Sequence, residues 1–456
     1  MIHTDPRDIL NKSDMTRLQF LVVALTVALN ALDGFDVMAI SFASPGIARE
    51  WATTTVGLGF ILSMELWGMA LGSVALGGLA DHVGRKPTIM GCLFAMVIGM
   101  FMVTTTDSLV VLGFWRVITG VGIGGMLAAI NAQAAEFSND KHRPMAIAIM
   151  AAGYPIGGVI GGSIVSRLLE FYDWRVVFYF GTAATALMIP LVHFMMPESV
   201  HWLVRKRPAG VLERINSTMS KLGHTLVTVL PDLREEAKRK TFVDIFSKTM
   251  ILTTMLVTSA YFLHITTFYF ILKWVPKLVV DMGFSPSSAG GVLTWASVGG
   301  ALGCLTFGFL TRKFDVRKLT LFFFVGSWLT TCLFGQVTPD LFVLSSAVAI
   351  AGYFINSGIV GMYSIVAQVF PTHVRASGTG FTVGIGRGGS VLSPIIAGFL
   401  MQGGMGLPIV AIIMGTGSIL AAISIFLLKI DSGSASGGAK VSQEALAGRV
   451  MNPNQI

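Results

Sequence analysis

Twelve runs of mainly apolar residues dominate this chain, at about 18–44, 53–80, 87–105, 109–135, 144–169, 175–196, 249–272, 287–311, 318–336, 340–367, 375–401 and 406–429. About 20 apolar residues in a helix cross the ~30 Å hydrocarbon layer of a bilayer. A helix also satisfies its own backbone groups there, so Gly and Pro inside several runs are tolerated once helices bundle. The runs therefore predict an all-α integral membrane protein with 12 transmembrane helices. Composition excludes a soluble fold. Of 456 residues 53% are apolar and 12% charged, against about 25% charged in soluble domains, and a folded surface cannot hide that much apolar area.

The runs divide the chain into an N-terminus (1–17), a six-helix half (18–197), a polar linker (198–248), a second six-helix half (249–429) and a tail (430–456). The tail, with SGSASGGAKVSQ, reads as flexible. No short apolar leader with a small-residue cleavage site precedes Leu18, so none is expected. Cys92, Cys304 and Cys332 fall inside apolar runs, in neither a disulfide nor a ligand pattern.

Orientation follows from Lys and Arg. With the N-terminus inside, the outer loops hold Arg49, Arg167, Arg175, Lys273 and Lys277, and Arg116 and Arg387 lie within spans. The rest of the 32 basic residues fall on the inner side, many of them between Arg205 and Lys248. Both termini are expected in the cytoplasm. The net charge of +8 reads as a topology signal rather than a nucleic-acid surface.

The halves are related. GGLADHVGRKP at 77–87 and GFLTRKFDVRK at 308–318 occupy the same place, at an offset of 231. Glu136…Arg143 and Gln368…Arg375 repeat at 232. Two anchors one residue apart indicate a duplicated six-helix unit, an organisation typical of secondary transporters with a site at mid-membrane.

The first of those loops, with Gly77, Asp81, Gly84, Arg85 and Lys86, resembles the loop motif of the major facilitator superfamily. Arg116-Val-Ile-Thr-Gly120 in span four, Gly153-Tyr-Pro-Ile-Gly157-Gly158-Val-Ile-Gly161-Gly162 in span five and PESVHWL at 197–203 are similar to further motifs of it. Gly158 stands where Pro is common there, and His82 where Arg is. Leu32-Asp33-Gly34-Phe35-Asp36, Gly384-Ile-Gly386-Arg387-Gly388-Gly389 and Trp274…Pro276 resemble the aromatic acid:proton symporters of that superfamily. The resemblance implies two pseudo-symmetric halves rocking about a central cavity. It implies import of a benzoate-type carboxylate across the bacterial inner membrane. It also implies that the Asp81 loop is a latch holding the outward-open state, Arg85 and Lys86 otherwise serving only topology. With Arg312 and Asp315 replacing the acid and the glycine of the second loop, gating is expected to rest on the first.

Six ionisable residues stand inside the apolar runs away from their ends: Asp33, Asp36, Glu65, Arg116, His264 and Arg387. Such groups are costly in hydrocarbon and face a cavity or one another. At about 1.5 Å per residue, Asp33, Asp36, Glu65 and Arg116 reach similar depths and can meet. Asp33 and Asp36, at i and i+3, share a face. Mutual repulsion favours a proton on one of them and a guanidinium opposes it, so the pair reads as an exchangeable proton site. The competing reading is a permanent Asp36–Arg116 ion pair that only orients helices. Glu65 is either part of the coupling set or a buried, protonated hydrogen-bond donor. Arg387, near mid-membrane, suits a substrate carboxylate, which guanidinium meets with two parallel hydrogen bonds. Its alternatives are an acid of another helix or backbone carbonyls. His264, the repeat-mate of Asp33, either binds substrate or protons or packs helices as a neutral ring. Tyr269, Tyr353 and Asn356 are candidate contacts for a hydroxylated ring.

Gly120-x-Gly122-x-x-Gly125 and Gly384-x-Gly386-x-x-Gly389 fit a dinucleotide fingerprint but lie inside spans, where glycine permits close helix contact. No ATP-binding loop, metal-ligand pattern or nucleophile–base set is present in the sequence, so neither a cofactor nor an enzyme activity is expected. The reading is a proton-driven importer of a small aromatic carboxylate, acting as a monomer. A proton/drug antiporter and a non-transporting receptor for aromatic acids remain as alternatives.

Overall fold

The computed structural model describes residues 5–230, 242–247, 249–371 and 374–428, so the expected tail lies outside the described residues. Twelve long helices form the spans: Arg17–Glu50, Thr55–Val83, Arg85–Thr104, Leu109–Glu136, Arg143–Leu168 and Arg175–Met195, then Ile251–Asp281, Pro286–Leu310, Val316–Phe334, Leu341–Val369, Arg375–Gln402 and Leu407–Leu427. They are numbered spans 1–12 below. Polar residues at the loop boundaries start several of them. Thr54, Ser285, Asp315 and Asp340 each accept a hydrogen bond from a backbone N–H of the first turn, satisfying donors that a helix start leaves free. Asp315, in the degenerate second loop, is thus the cap of span 9.

Span 7 departs from its sequence-based limit. Lys273 and Lys277 were placed in an outer loop, but the helix continues to Asp281, carrying Pro276 inside it. Trp274, Val275, Leu278 and Val279 are buried, and this apolar face draws the helix onward through the lysines. The apolar pattern resuming at Trp274 was the signal, and the lysine before it masked it.

The duplication expected from the two loop anchors recurs in the packing. Span 1 packs on span 5, span 2 on 4, span 3 on 4 and span 3 on 6, and the counterparts six spans later pair the same way. The halves meet through spans 2 and 11, 5 and 8, and 1 and 7. Spans 2 and 4 approach closely where Gly68 and Gly72 face Gly120 and Gly124. A Cβ at Gly120 would collide with the Glu65 carbonyl, and one at Gly68 with the Val117 carbonyl. Small residues four apart on both helices let backbones touch, the main source of contact energy where lipid removes the hydrophobic drive.

Short helices gather on one face, called the linker face here: Pro6–Lys12, Val200–Lys206, Val211–Lys221 and the 3-10 turn Phe242–Phe246. The first is tied to the span 4–5 loop, where Asn139 Nδ2 donates to the Ser13 carbonyl at 2.9 Å and Arg143 Nη2 to Asn11 Oδ1 at 2.6 Å.

Candidate functional site

Asp33 and Asp36 on span 1, Glu65 on span 2 and Arg116 on span 4 come together, as their depths suggested. Their side chains are almost wholly shielded, Asp33 being 2% exposed and the others 0%. The partners differ from the expected ones. Arg116 forms its ion pair with Glu65, and toward Asp36 it reaches only the backbone carbonyl, 3.1 Å from Nη2. The Gly68/Gly120 approach explains this, because Glu65 and Arg116 sit one turn beyond it on each helix. The alternative of an Asp36–Arg116 side-chain pair is therefore corrected, and it is Glu65 that faces the guanidinium. The carboxylate oxygens of both Asp33 and Asp36 have no hydrogen-bond partner.

A fifth member was missed. Lys273 of span 7, 0% exposed, crosses from the C-terminal half. It donates to the Val37 carbonyl and stands 3.5 Å from Glu65 Oε2. Glu65 thus holds a guanidinium from its own half and an ammonium from the other. Removing one partner of so deeply buried a pair costs about 3–5 kcal/mol.

Arg387 lies one helical turn closer to the linker face. Its Nη1 donates to the Met69 carbonyl at 3.0 Å, one of the backbone alternatives open from sequence. Tyr261, whose ring packs on Gly386, and Tyr363 bring their hydroxyls within 3.2 Å. A small cavity of ≈ 20 Å³ between the halves is lined by Met38, Tyr154, Phe268, Ser297 and Asn356 among others. It admits water but no aromatic ring. Tyr154, absent from the sequence-based candidates, points a buried hydroxyl toward that of Tyr269. Tyr269 is buried on the same helix as Phe268, and their rings meet edge-on at 5.1 Å. Asn356 bonds its own helix through Gly352 at 2.9 Å. Tyr353 packs with Phe323 and Phe354, at 5.8 and 5.4 Å between ring centroids, and does not line the cavity. His264 has both ring nitrogens engaged, with Ser418 Oγ at 2.9 Å and the Ile355 carbonyl at 3.0 Å. That ties spans 7, 10 and 12 together and leaves it apart from the Asp33/Asp36 cluster.

The hydrogen bonds and ion pairs joining the halves, among the described residues, all lie from Arg387 toward the far face. They include Thr55 Oγ1 to the Gly398 carbonyl at 3.1 Å and Ser287 Oγ to Glu170 Oε1 at 3.0 Å. The far face is shut in this conformation.

At the linker face, Asp81 engages two guanidiniums, Arg85 at 2.9 Å and Arg205 at 2.7 Å. Arg85 also pairs with Glu136 at 3.1 Å, and Lys86 Nζ donates to the His193 carbonyl at 2.6 Å. The N-terminus of span 3 is held by another acid. Glu198 of the PESVHWL segment accepts from the Arg85 backbone N–H at 3.0 Å, where the helix dipole favours an anion. Burial pushes the Glu198 carboxyl above its ordinary range, against the pull of the backbone donors of Ser199, Arg85 and Lys86. Gly84, at φ +120°, makes the turn between spans 2 and 3, and a Cβ there would strike Glu198. Gly77 has room, with only Ala128 nearby at 3.7 Å.

Comparison with known proteins agrees with this architecture. The chain is 29% identical over 398 residues to the 4-hydroxybenzoate transporter PcaK of Pseudomonas putida, covering 85% of this chain and 87% of that one. It is 25% identical to a gallate transporter of the same species, covering 92% and 94%. Among solved structures, the inward-open xylose transporter XylE from E. coli superimposes with a TM-score of 0.69 at 15% identity, over 91% of this chain and 97% of that one. The profile of the Major Facilitator Superfamily matches residues 26–275 and 257–450. The chain belongs to the Major Facilitator Superfamily, a family of transporters and not of enzymes.

Proposed function

We propose that the protein imports small aromatic carboxylates, of the 4-hydroxybenzoate, protocatechuate and benzoate type, together with a proton. The observation that carries the coupling is the buried Asp33/Asp36 pair without hydrogen-bond partners, set beside the Glu65–Arg116–Lys273 ion cluster. Three carboxylates and two cations cannot all be charged in a desolvated site without a net negative charge, which one proton removes. The substrate class is supported by the names of the relatives, by Arg387 at the junction of the halves, and by Tyr154 and Asn356 in the cavity wall. A conformation shut at the far face and a superfamily built for alternating access support a cycle in which the halves rock about this level. The proton loads from the far side and leaves on the linker side, followed by the anion. The arginines and lysines of the linker face support reading it as cytoplasmic, with both termini in the cytoplasm and the spans in a bacterial inner membrane. The gradient drives the cycle without a cofactor. One chain supplies both halves of the cavity, so a monomer suffices, and the basic residues serve topology rather than nucleic acid.

The test uses purified protein in sealed vesicles with an inward proton gradient and labelled 4-hydroxybenzoate. Accumulation above equilibrium, abolished when the gradient is collapsed, supports import. Binding without accumulation would favour a receptor, and outward movement against proton influx an antiporter.

A further inference from the structure

Lys273 enters the charge balance of the Asp33/Asp36 site as one of its two cations, and it is a fully buried ammonium whose partners both belong to the opposite half. Opening the far face means parting the halves there, and this withdraws Lys273 from Val37 and Glu65. Glu65 keeps Arg116 from its own half. Lys273 is left lining the opening without a protein counter-charge, where an entering anion meets its ammonium.

A second cation of the same half stands close by. Arg387 docks on span 2 at the Met69 carbonyl, and Lys273 docks on it at Glu65. These positions are four residues apart on one helix, about 6 Å along its axis. From the far face inward, the C-terminal half therefore presents two cationic stations one turn apart. The length of that step is about the size of a carboxylated ring.

We propose that Lys273 is a carboxylate-binding residue of the far-open state, where the incoming anion replaces Glu65 on its ammonium before passing one turn inward to Arg387. This rests on the reading of the protein as a carboxylate importer. In the shut state Glu65 occupies the ammonium, so substrate leaving toward the linker face is not held back by it. No covalent bond changes, and the anion alone moves between cations.

The test measures zero-trans fluxes of labelled 4-hydroxybenzoate in oriented proteoliposomes of the full chain. Lys273→Met is expected to raise KM for influx from the far face by about tenfold or more, while KM for efflux from the linker face stays within about twofold. Lys273→Arg keeps the influx KM close to that of the wild type. Lys273→Cys behaves as the Met variant until 2-aminoethyl methanethiosulfonate rebuilds an ammonium at that position, and influx affinity then returns. Wild type treated alike controls for Cys92, Cys304 and Cys332. If Lys273→Met does not reach the membrane, the Cys variant before and after the reagent decides on the same criterion. An unchanged influx KM, or an equal rise on both faces, overturns the relay. A wild type that moves no aromatic acid overturns the reading of function and the relay with it. A wild type that moves the acid and tolerates loss of the ammonium overturns the relay alone.

Discussion

Asp33→Asn changes one atom of a side chain that touches no hydrogen-bonding group, so its effect is almost purely one of charge. In the native cluster Asp33, Asp36 and Glu65 face Arg116 and Lys273, and the imbalance of one negative charge is what a proton cancels. One proton carried with one monoanion is electroneutral. A pH difference of one unit, about 1.4 kcal/mol, then supports about a tenfold substrate gradient. With Asn at position 33, two carboxylates face two cations and the site is neutral without a proton. Transport should continue while its link to the gradient is lost. In proteoliposomes held at zero voltage with a one-unit pH difference, labelled 4-hydroxybenzoate is expected to reach about tenfold accumulation with wild type and to equalise with the variant. Counterflow exchange, which needs no net proton movement, should persist in the variant and show that it folds. Asp36→Asn should behave alike, since either proton balances the same cluster. Tenfold accumulation by Asp33→Asn would refute the charge count, and so would about a hundredfold by wild type, which requires two protons.

Arg387→Ala is expected to raise KM for aromatic carboxylates by about thirtyfold or more, the loss of a charge-assisted contact of about 2 kcal/mol. Inhibition by the neutral carboxamide should hardly change. At the linker face, burial pushes the His201 imidazole below its ordinary value of 6.5 and the guanidiniums of Arg143 and Arg7 push the same way, against Glu136 and Asp5. The unfolded chain thus takes up that proton first, and stability falls as pH drops through 6.5 toward the lowered value. Melting temperatures in detergent should show this acid-side loss, and His201→Gln should reduce it. Gly157→Ala would drive a Cβ into the Ala31 carbonyl where spans 1 and 5 touch, costing about 1–3 kcal/mol. Gly78→Ala meets nothing within 4 Å and should stay within about 0.5 kcal/mol. Equal melting shifts for the two would contradict the packing described here.

The twelve spans, the duplication, and the acids and arginines committed to the interior could all be read from the sequence. Hydropathy is a local property, and hydrocarbon leaves a backbone segment little choice but to bond within itself. The same simplicity misled at Lys273, where a charge amid apolar residues looked like a helix end. The buried Trp274, Val275 and Leu278 carry the helix on to Asp281. Pairing was beyond the sequence for a different reason. Asp33, Asp36 and Glu65 stand at similar depths, and depth alone makes them equivalent partners for Arg116. The choice of Glu65 was made by the Gly68–Gly72 and Gly120–Gly124 contact, which fixes how spans 2 and 4 face each other. Glu198, rather than Asp81, meets the start of span 3 because the segment after span 6 folds back beneath it. Local sequence pattern shows which segments enter the hydrocarbon and, Lys273 apart, which ionisable residues go with them and how deep. Tertiary structure decided which of them touch, because an ion pair depends on helix rotation and contact between distant segments, and a periodic pattern along one chain carries neither.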